Sequence, residues 1–196
     1  MKSKIVAWVA AVLVVAELLL VFLSWLLSAT MTEGVHSLLS SEGIRWLAGH
    51  ATQTLLSPLL VWMILCAMSA GCLVKSGLLQ SLRHRHSYRH RLALRSTLVV
   101  LVVCIGVLLL LTAVPHAVLL SATGSLWPSP FSEVLIPALA LVLLLLSVCY
   151  GVIAHSFASI VDITDSLVWG LAKAAPLILL YVLGIQFFLS LRFVFA

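Results

Sequence analysis

Charge is what this sequence has least of. Of its 196 residues, 9% are Asp, Glu, Lys or Arg, and the acidic residues number 6. A soluble domain carries about 25% charged residues. A soluble fold of this length would have too few charges to cover its surface. That excludes a soluble enzyme, a nucleic-acid module and a disordered tail. Catalytic signatures are missing too. There is no glycine-rich phosphate loop, no Ser-His-Asp order with supporting context and no metalloprotease helix motif. His116, His155 and the serines form no recognisable constellation, so the chain reads as a non-enzyme with no cofactor. Cys66, Cys72, Cys104 and Cys149 all fall inside apolar runs. None lies in a polar loop where a secreted disulfide framework would sit, and none joins ligands at metal-binding spacing. They read as small packing residues.

What the chain does have is apolar sequence, 63% of the total. Five runs near residues 5–27, 55–74, 96–114, 134–154 and 174–191 are each long enough to cross a bilayer, which takes about 17–25 residues. Lipid satisfies no backbone group and the runs lack strand alternation, so they are helices. The expected fold class is all-α, a single polytopic membrane bundle of five transmembrane helices with one or two interfacial helices. Met1-Lys2-Ser3-Lys4 opens like a signal peptide, but the apolar run behind it exceeds the usual core of about 7–15 residues. It reads as a retained transmembrane helix.

Lysine and arginine set the orientation. With the N-terminus in the cytoplasm, the inner segments hold Lys2, Lys4, Lys75, Arg83, Arg85, Arg89, Arg91, Arg95 and Lys173, and the outer ones hold Arg45 and Arg192. The positive-inside rule favours that arrangement, with the C-terminus outside. The third run stops at Pro115, and Pro137 falls in the opening turn of the fourth. Ser40-Ser41-Glu42 resembles a helix start in the outer connection. Phe157, Ile160, Val161, Leu167, Val168 and Leu171 recur at helical spacing, which predicts an interfacial helix near 156–172. Asp162 and Asp165 take its other sides and read as a solvated face. Pro128 and Pro130 shape an outer loop. The small pairs Ala67/Gly71, Ser147/Gly151 and Gly170/Ala174 allow close helix approach.

Two blocks of sequence resemble a known family. The first is Leu39-Ser40-Ser41-Glu42-Gly43-Ile44-Arg45-Trp46, followed by Pro58-Leu59-Leu60-Val61 and Lys75-Ser76-Gly77-Leu78. The second is Thr123-Gly124-Ser125-Leu126-Trp127-Pro128-Ser129-Pro130-Phe131, followed by Ile136-Pro137, Tyr150-Gly151 and Gln186-Phe187. In order and span context both are similar to the p-aminobenzoyl-glutamate transporter (AbgT) family of bacterial inner-membrane proteins. The resemblance implies further spans and a re-entrant hairpin between Leu79 and Arg95, and a second hairpin after Phe187. In place of the first there is a basic run, and the chain ends at Ala196, so the reading is of a shortened form without the hairpins. The function implied is transport of p-aminobenzoyl-glutamate or a related anion, driven by a proton or sodium gradient. The alternative is a non-transporting scaffold or partner subunit, or a remnant of such a transporter. No family binding residue maps onto a position here.

The candidate functional residues therefore come from the chain itself. Glu17 lies near the middle of the first run, where a carboxylate costs about 2.5–3.5 kcal/mol to insert. It is either a proton or cation relay, or a protonated carboxyl bonded to a neighbouring helix or a partner subunit. Ser24, Ser69, Ser147, Gln186 and backbone carbonyls are its available partners. Gln186, well inside the fifth run, is either interhelical glue or a solute contact. The stretch 75–95 reads as a basic cytoplasmic anchor for lipid headgroups through Lys75, Arg83, Arg85, Arg89, Arg91 and Arg95. A metal bound by its histidines His84, His86 and His90 is the weaker reading. The partners expected are the lipid bilayer, a second copy or another membrane protein, and a small anionic solute, with no nucleic acid and no metal.

Overall fold

The computed structural model of the chain describes residues 2–30, 37–46, 49, 57–83, 88–113 and 130–195. The expectations for His84, Arg85, His86, Pro115 and residues 123–129 lie outside them. The described residues form helices and connections with no strand: α1 (Lys2–Ala29), α2 (residues 41–46), α3 (Pro58–Ser76), α4 (Leu78–Arg83), α5 (Tyr88–Ala113), α6 (Pro130–Ile153) and α7 (Ile160–Val194). Among them, 5 helices are long and apolar enough to cross a membrane. Two compact units emerge, one of Met1–Val61 with Ala175–Ala196, the other of Trp62–Ala174.

Burial is inverted relative to a soluble protein. Leu18, Phe22, Val102 and Leu110 are 59–66% exposed, while Ser24, Cys72, Ser147 and Ser190 are at most 1% exposed. Lipid tails are as apolar as leucine, so large side chains gain little by turning inward. Close helix packing instead selects small residues. The buried hydroxyls stay satisfied by bonding back to their own helix, as Ser147 Oγ does to the Leu143 carbonyl at 2.7 Å.

In the first unit, α1 ends where Thr30 turns back on it. The Thr30 hydroxyl donates to the Leu27 carbonyl at 2.8 Å, and its N–H reaches both Leu26 and Leu27. These bonds satisfy carbonyls that a helix end leaves orphaned. Ser24 Oγ donates to Val21 O at 2.8 Å and accepts the Leu38 N–H at 3.3 Å, tying the following segment to α1. Ser40 caps α2 by accepting the Gly43 N–H at 3.0 Å, as the Ser40-Ser41-Glu42 string suggested. Trp46 then stacks on Phe193 of α7, with ring centroids 4.5 Å apart. The Ser57 and Tyr181 hydroxyls are bonded at 2.8 Å.

The second unit is organised by two contacts. Gly71 of α3 and Gly170 of α7 touch backbone to backbone. A Cβ on Gly71 would overlap the Ser166 carbonyl oxygen and lie 2.6 Å from Gly170 Cα, so only glycine fits. Beside them Cys72 Sγ lies 2.9 Å from Ser166 Oγ. Ser166 already donates its hydrogen to the Ile163 carbonyl at 2.6 Å, so the Cys72 thiol donates here. The second contact joins α5 to α6: His90 Nδ1 and the buried Tyr150 hydroxyl are bonded at 2.8 Å. A left-handed His155 (φ 59°) ends α6, and the Phe157 ring folds back over Gly151.

Three boundaries differ from the sequence expectation. α5 starts at Tyr88, not near 96, because Arg, Leu and Ala propagate a helix well and no Gly or Pro before Ser96 breaks it. α6 starts with Pro130 at its first position, where proline costs little, so Pro130 opens a helix and Pro137 sits inside it. The interfacial helix near 156–172 and the fifth span near 174–191 are one helix of 35 residues. Lys173 does not interrupt it. Pro176 removes a single donor, the one that would have met the Ala172 carbonyl.

Candidate functional site

The one carboxylate expected in mid-span is placed against a donor. Glu17 lies 15 residues beyond Lys2, about 22 Å along α1, near the middle of that helix of 28 residues. Ser190 of α7, itself fully buried, donates its hydroxyl to Glu17 Oε1 at 2.5 Å. The second oxygen, Oε2, is buried and meets no hydrogen-bond partner among the described residues. Arg192 follows Ser190 by two residues in the last turn of α7, but no Lys or Arg among the described residues forms an ion pair with Glu17.

A half-satisfied buried carboxyl has a definite chemistry. An unmade hydrogen bond on a buried polar atom costs about 1–3 kcal/mol, and more when the group is charged. Ionised, Glu17 would keep one donor for two anionic oxygens. Protonated, it carries its hydrogen on Oε2 and accepts from Ser190 on Oε1, with no net charge in the apolar layer.

Gln186 lies one turn before Ser190 on α7, so the two share a face of that helix, and Gln186 is half-buried. The serines weighed as partners for Glu17 are engaged locally: Ser24 with Val21 and Leu38, Ser69 with Cys66, and Ser147 with Leu143. Ser190 was the partner that sequence reading missed. It stood at the edge of the span drawn at 174–191, and its one signal was the four-residue step from Gln186.

The basic residues separate into groups. Lys75, at the end of α3, holds its ammonium 5.8 Å from the Trp169 ring centre, and Lys173 holds its own at 5.5 Å. Arg91 and Arg95 share one face of α5 and line a cavity of about 460 Å³ with Leu94 and Leu98. Arg89 is exposed in the first turn of α5, Arg83 closes α4, and Arg85 lies outside the described residues. His90 is occupied by Tyr150. Asp162 is engaged locally on an exposed face. Its Oδ2 accepts the N–H groups of Ala158 and Ser159 at 2.8 and 3.0 Å, and Ser159 Oγ accepts the Asp162 N–H at 3.4 Å. That is a capping box at the start of α7.

Comparison with known proteins gives the architecture its context. The sequence profile of the family described as "AbgT putative transporter family" matches residues 83–193. No curated protein matches the chain in sequence. Its fold is similar to the crystal structure of the YdaH transporter of Alcanivorax borkumensis, reported to have an unusual topology. The two align with a TM-score of 0.77 at 15% identity, over 94% of this chain and 70% of that one.

Proposed function

We propose, from the premise that this chain belongs to the AbgT transporter family, that it carries p-aminobenzoyl-glutamate or a related anion across the bacterial inner membrane. The N-terminus lies in the cytoplasm, and protons drive the movement through Glu17. The observation that carries the proton coupling is the Glu17–Ser190 pair, with one carboxyl oxygen bonded and the other buried without a partner. Secondary transporters place coupling groups near the bilayer midplane, and intramembrane carboxylates are expensive enough that they mark relays. The half-buried Gln186 amide, one turn along the same face of α7, is the polar group best placed to meet a solute beside the relay. Orientation rests on the excess of Lys and Arg in the segments assigned to the inside.

The test is uptake of labelled p-aminobenzoyl-glutamate by proteoliposomes of the folded, monodisperse chain, with and without an imposed proton gradient. Uptake that rises with the gradient supports the reading. Absence of uptake from folded protein overturns it and leaves the scaffold or partner role.

A further inference from the structure

We infer that the Arg91–Arg95 face of α5 is a binding site for one anionic phospholipid, held by its phosphate. The inference rests on the membrane setting of α5 and is independent of transport. Arg91, Leu94, Arg95 and Leu98 follow one another at helical spacing on a single face and line a cavity of about 460 Å³. That volume lies within the range of about 300–1,000 Å³ typical of small-molecule sites. The two arginines come first and the leucines extend deeper into the helix.

Length fixes the depth. α5 has 26 residues, about 39 Å of helix, against a hydrocarbon core of about 30 Å. The uncharged stretch from Ser96 to Ala113 alone measures about 27 Å. With that stretch in the core, Arg91 and Arg95 stand at headgroup level, and Leu98 lies where acyl chains begin.

Charge selects the occupant. No carboxylate pairs with either arginine among the described residues. α5 itself contains no Asp or Glu, and neither does α4. α6 packs on α5 with Tyr150, in its last turn, bonded to His90 in the first turn of α5. The single acidic residue of α6, Glu133, therefore belongs to its opposite end. Asp162 of α7 is occupied by its capping box. Two unneutralised guanidinium groups one turn apart offer forked donors that match the oxygens of a phosphodiester. Leu94 and Leu98 offer the glycerol and upper acyl chain an apolar wall. An inorganic anion would use the arginines and gain nothing from the leucines.

Native mass spectrometry of the full chain in detergent tests this with phosphatidylglycerol, phosphatidylcholine and inorganic phosphate as probes. The wild type should retain one phosphatidylglycerol at least tenfold better than phosphatidylcholine. Arg91→Gln with Arg95→Gln should reduce that retention about tenfold. Lys173→Gln, which removes an exposed cation outside that face, should leave it unchanged. Leu98→Ser should weaken the lipid several-fold. Both arginines are exposed, and an unaltered melting profile will confirm that the double variant folds. Equal retention in the double variant overturns the site. An equal loss with Lys173→Gln also overturns it, because the attraction then belongs to the whole basic surface. Displacement of the lipid by millimolar phosphate overturns the lipid as occupant and makes the site one for a free anion.

Discussion

Glu17 and Ser190 have opposite consequences for stability and for function. Replacing a buried, half-satisfied acid by a neutral or apolar group of similar size is often neutral or stabilising, because the cost of burying the group disappears. Glu17→Gln and Glu17→Leu should therefore melt no lower than wild type, while gradient-driven uptake is lost in both. A fall in melting temperature of many degrees in Glu17→Gln would show that the carboxyl is structural. Ser190→Ala removes the donor and leaves both carboxyl oxygens without a partner among the described residues. It should cost about 1–3 kcal/mol and lower coupled uptake several-fold. Ser190→Thr keeps a hydroxyl and should restore most of it. If Ser190→Ala transports like wild type, the hydrogen bond has no part in coupling. Glu17 was legible in the sequence because a lone carboxylate in an apolar run is costly wherever it lands. Ser190 was not, because serine is common and cheap in transmembrane helices, and only tertiary packing decides which one meets the acid.

The elements of the second unit are held by how closely α3 and α7 approach. Gly71→Ala drives a methyl group into steric overlap with the Ser166 carbonyl and the Gly170 backbone, neither of which can rotate away. It should destabilise by about 1–3 kcal/mol, the usual range for overpacking. Gly184→Ala, with nothing within 4 Å of the new Cβ, should be neutral. Thermal melts of the two variants separate close packing from helix propensity, and equal melting would remove the Gly71–Gly170 contact from the account. At the start of α7, Asp162→Ala removes the acceptor for two N–H groups. It should speed amide exchange at residues 158–162 and cost about 0.5–1.5 kcal/mol for each hydrogen bond lost from the capping box.

The same elements show what the sequence could and could not reveal. The pairs Ala67/Gly71 and Gly170/Ala174 announced close packing, and Ser40 announced a cap, because each depends on local geometry. The start of α5 and the continuity of α7 were misplaced because the spans were drawn where charge appeared. Charge limits how deep a residue lies in lipid; it does not end a helix. Arg91, Arg95 and Lys173 all continue helices that begin earlier than their apolar cores. Nor could the spacing of Asp162 and Asp165 reveal that one of them is consumed by a cap.

At the scale of the whole chain, the described residues include five helices apolar enough to cross a membrane, with leucines and valines exposed and serines, Gly71, Gly170 and Cys72 buried, a pattern suited to lipid. The family match over residues 83–193 and the fold shared with a transporter of known structure give the chain its class. The orientation can be read with single cysteines in a background lacking the four natural ones. A cysteine at Ser3 should react with an impermeant thiol reagent only from the cytoplasmic side, and labelling from the periplasm would reverse the topology. The central claim is that Glu17 carries the coupling proton. It is tested most directly by trapping a pH-sensitive dye inside proteoliposomes and adding p-aminobenzoyl-glutamate outside. The account predicts a substrate-dependent change in lumenal pH with wild type and none with Glu17→Gln of intact fold. A proton movement of wild-type size in Glu17→Gln would contradict it.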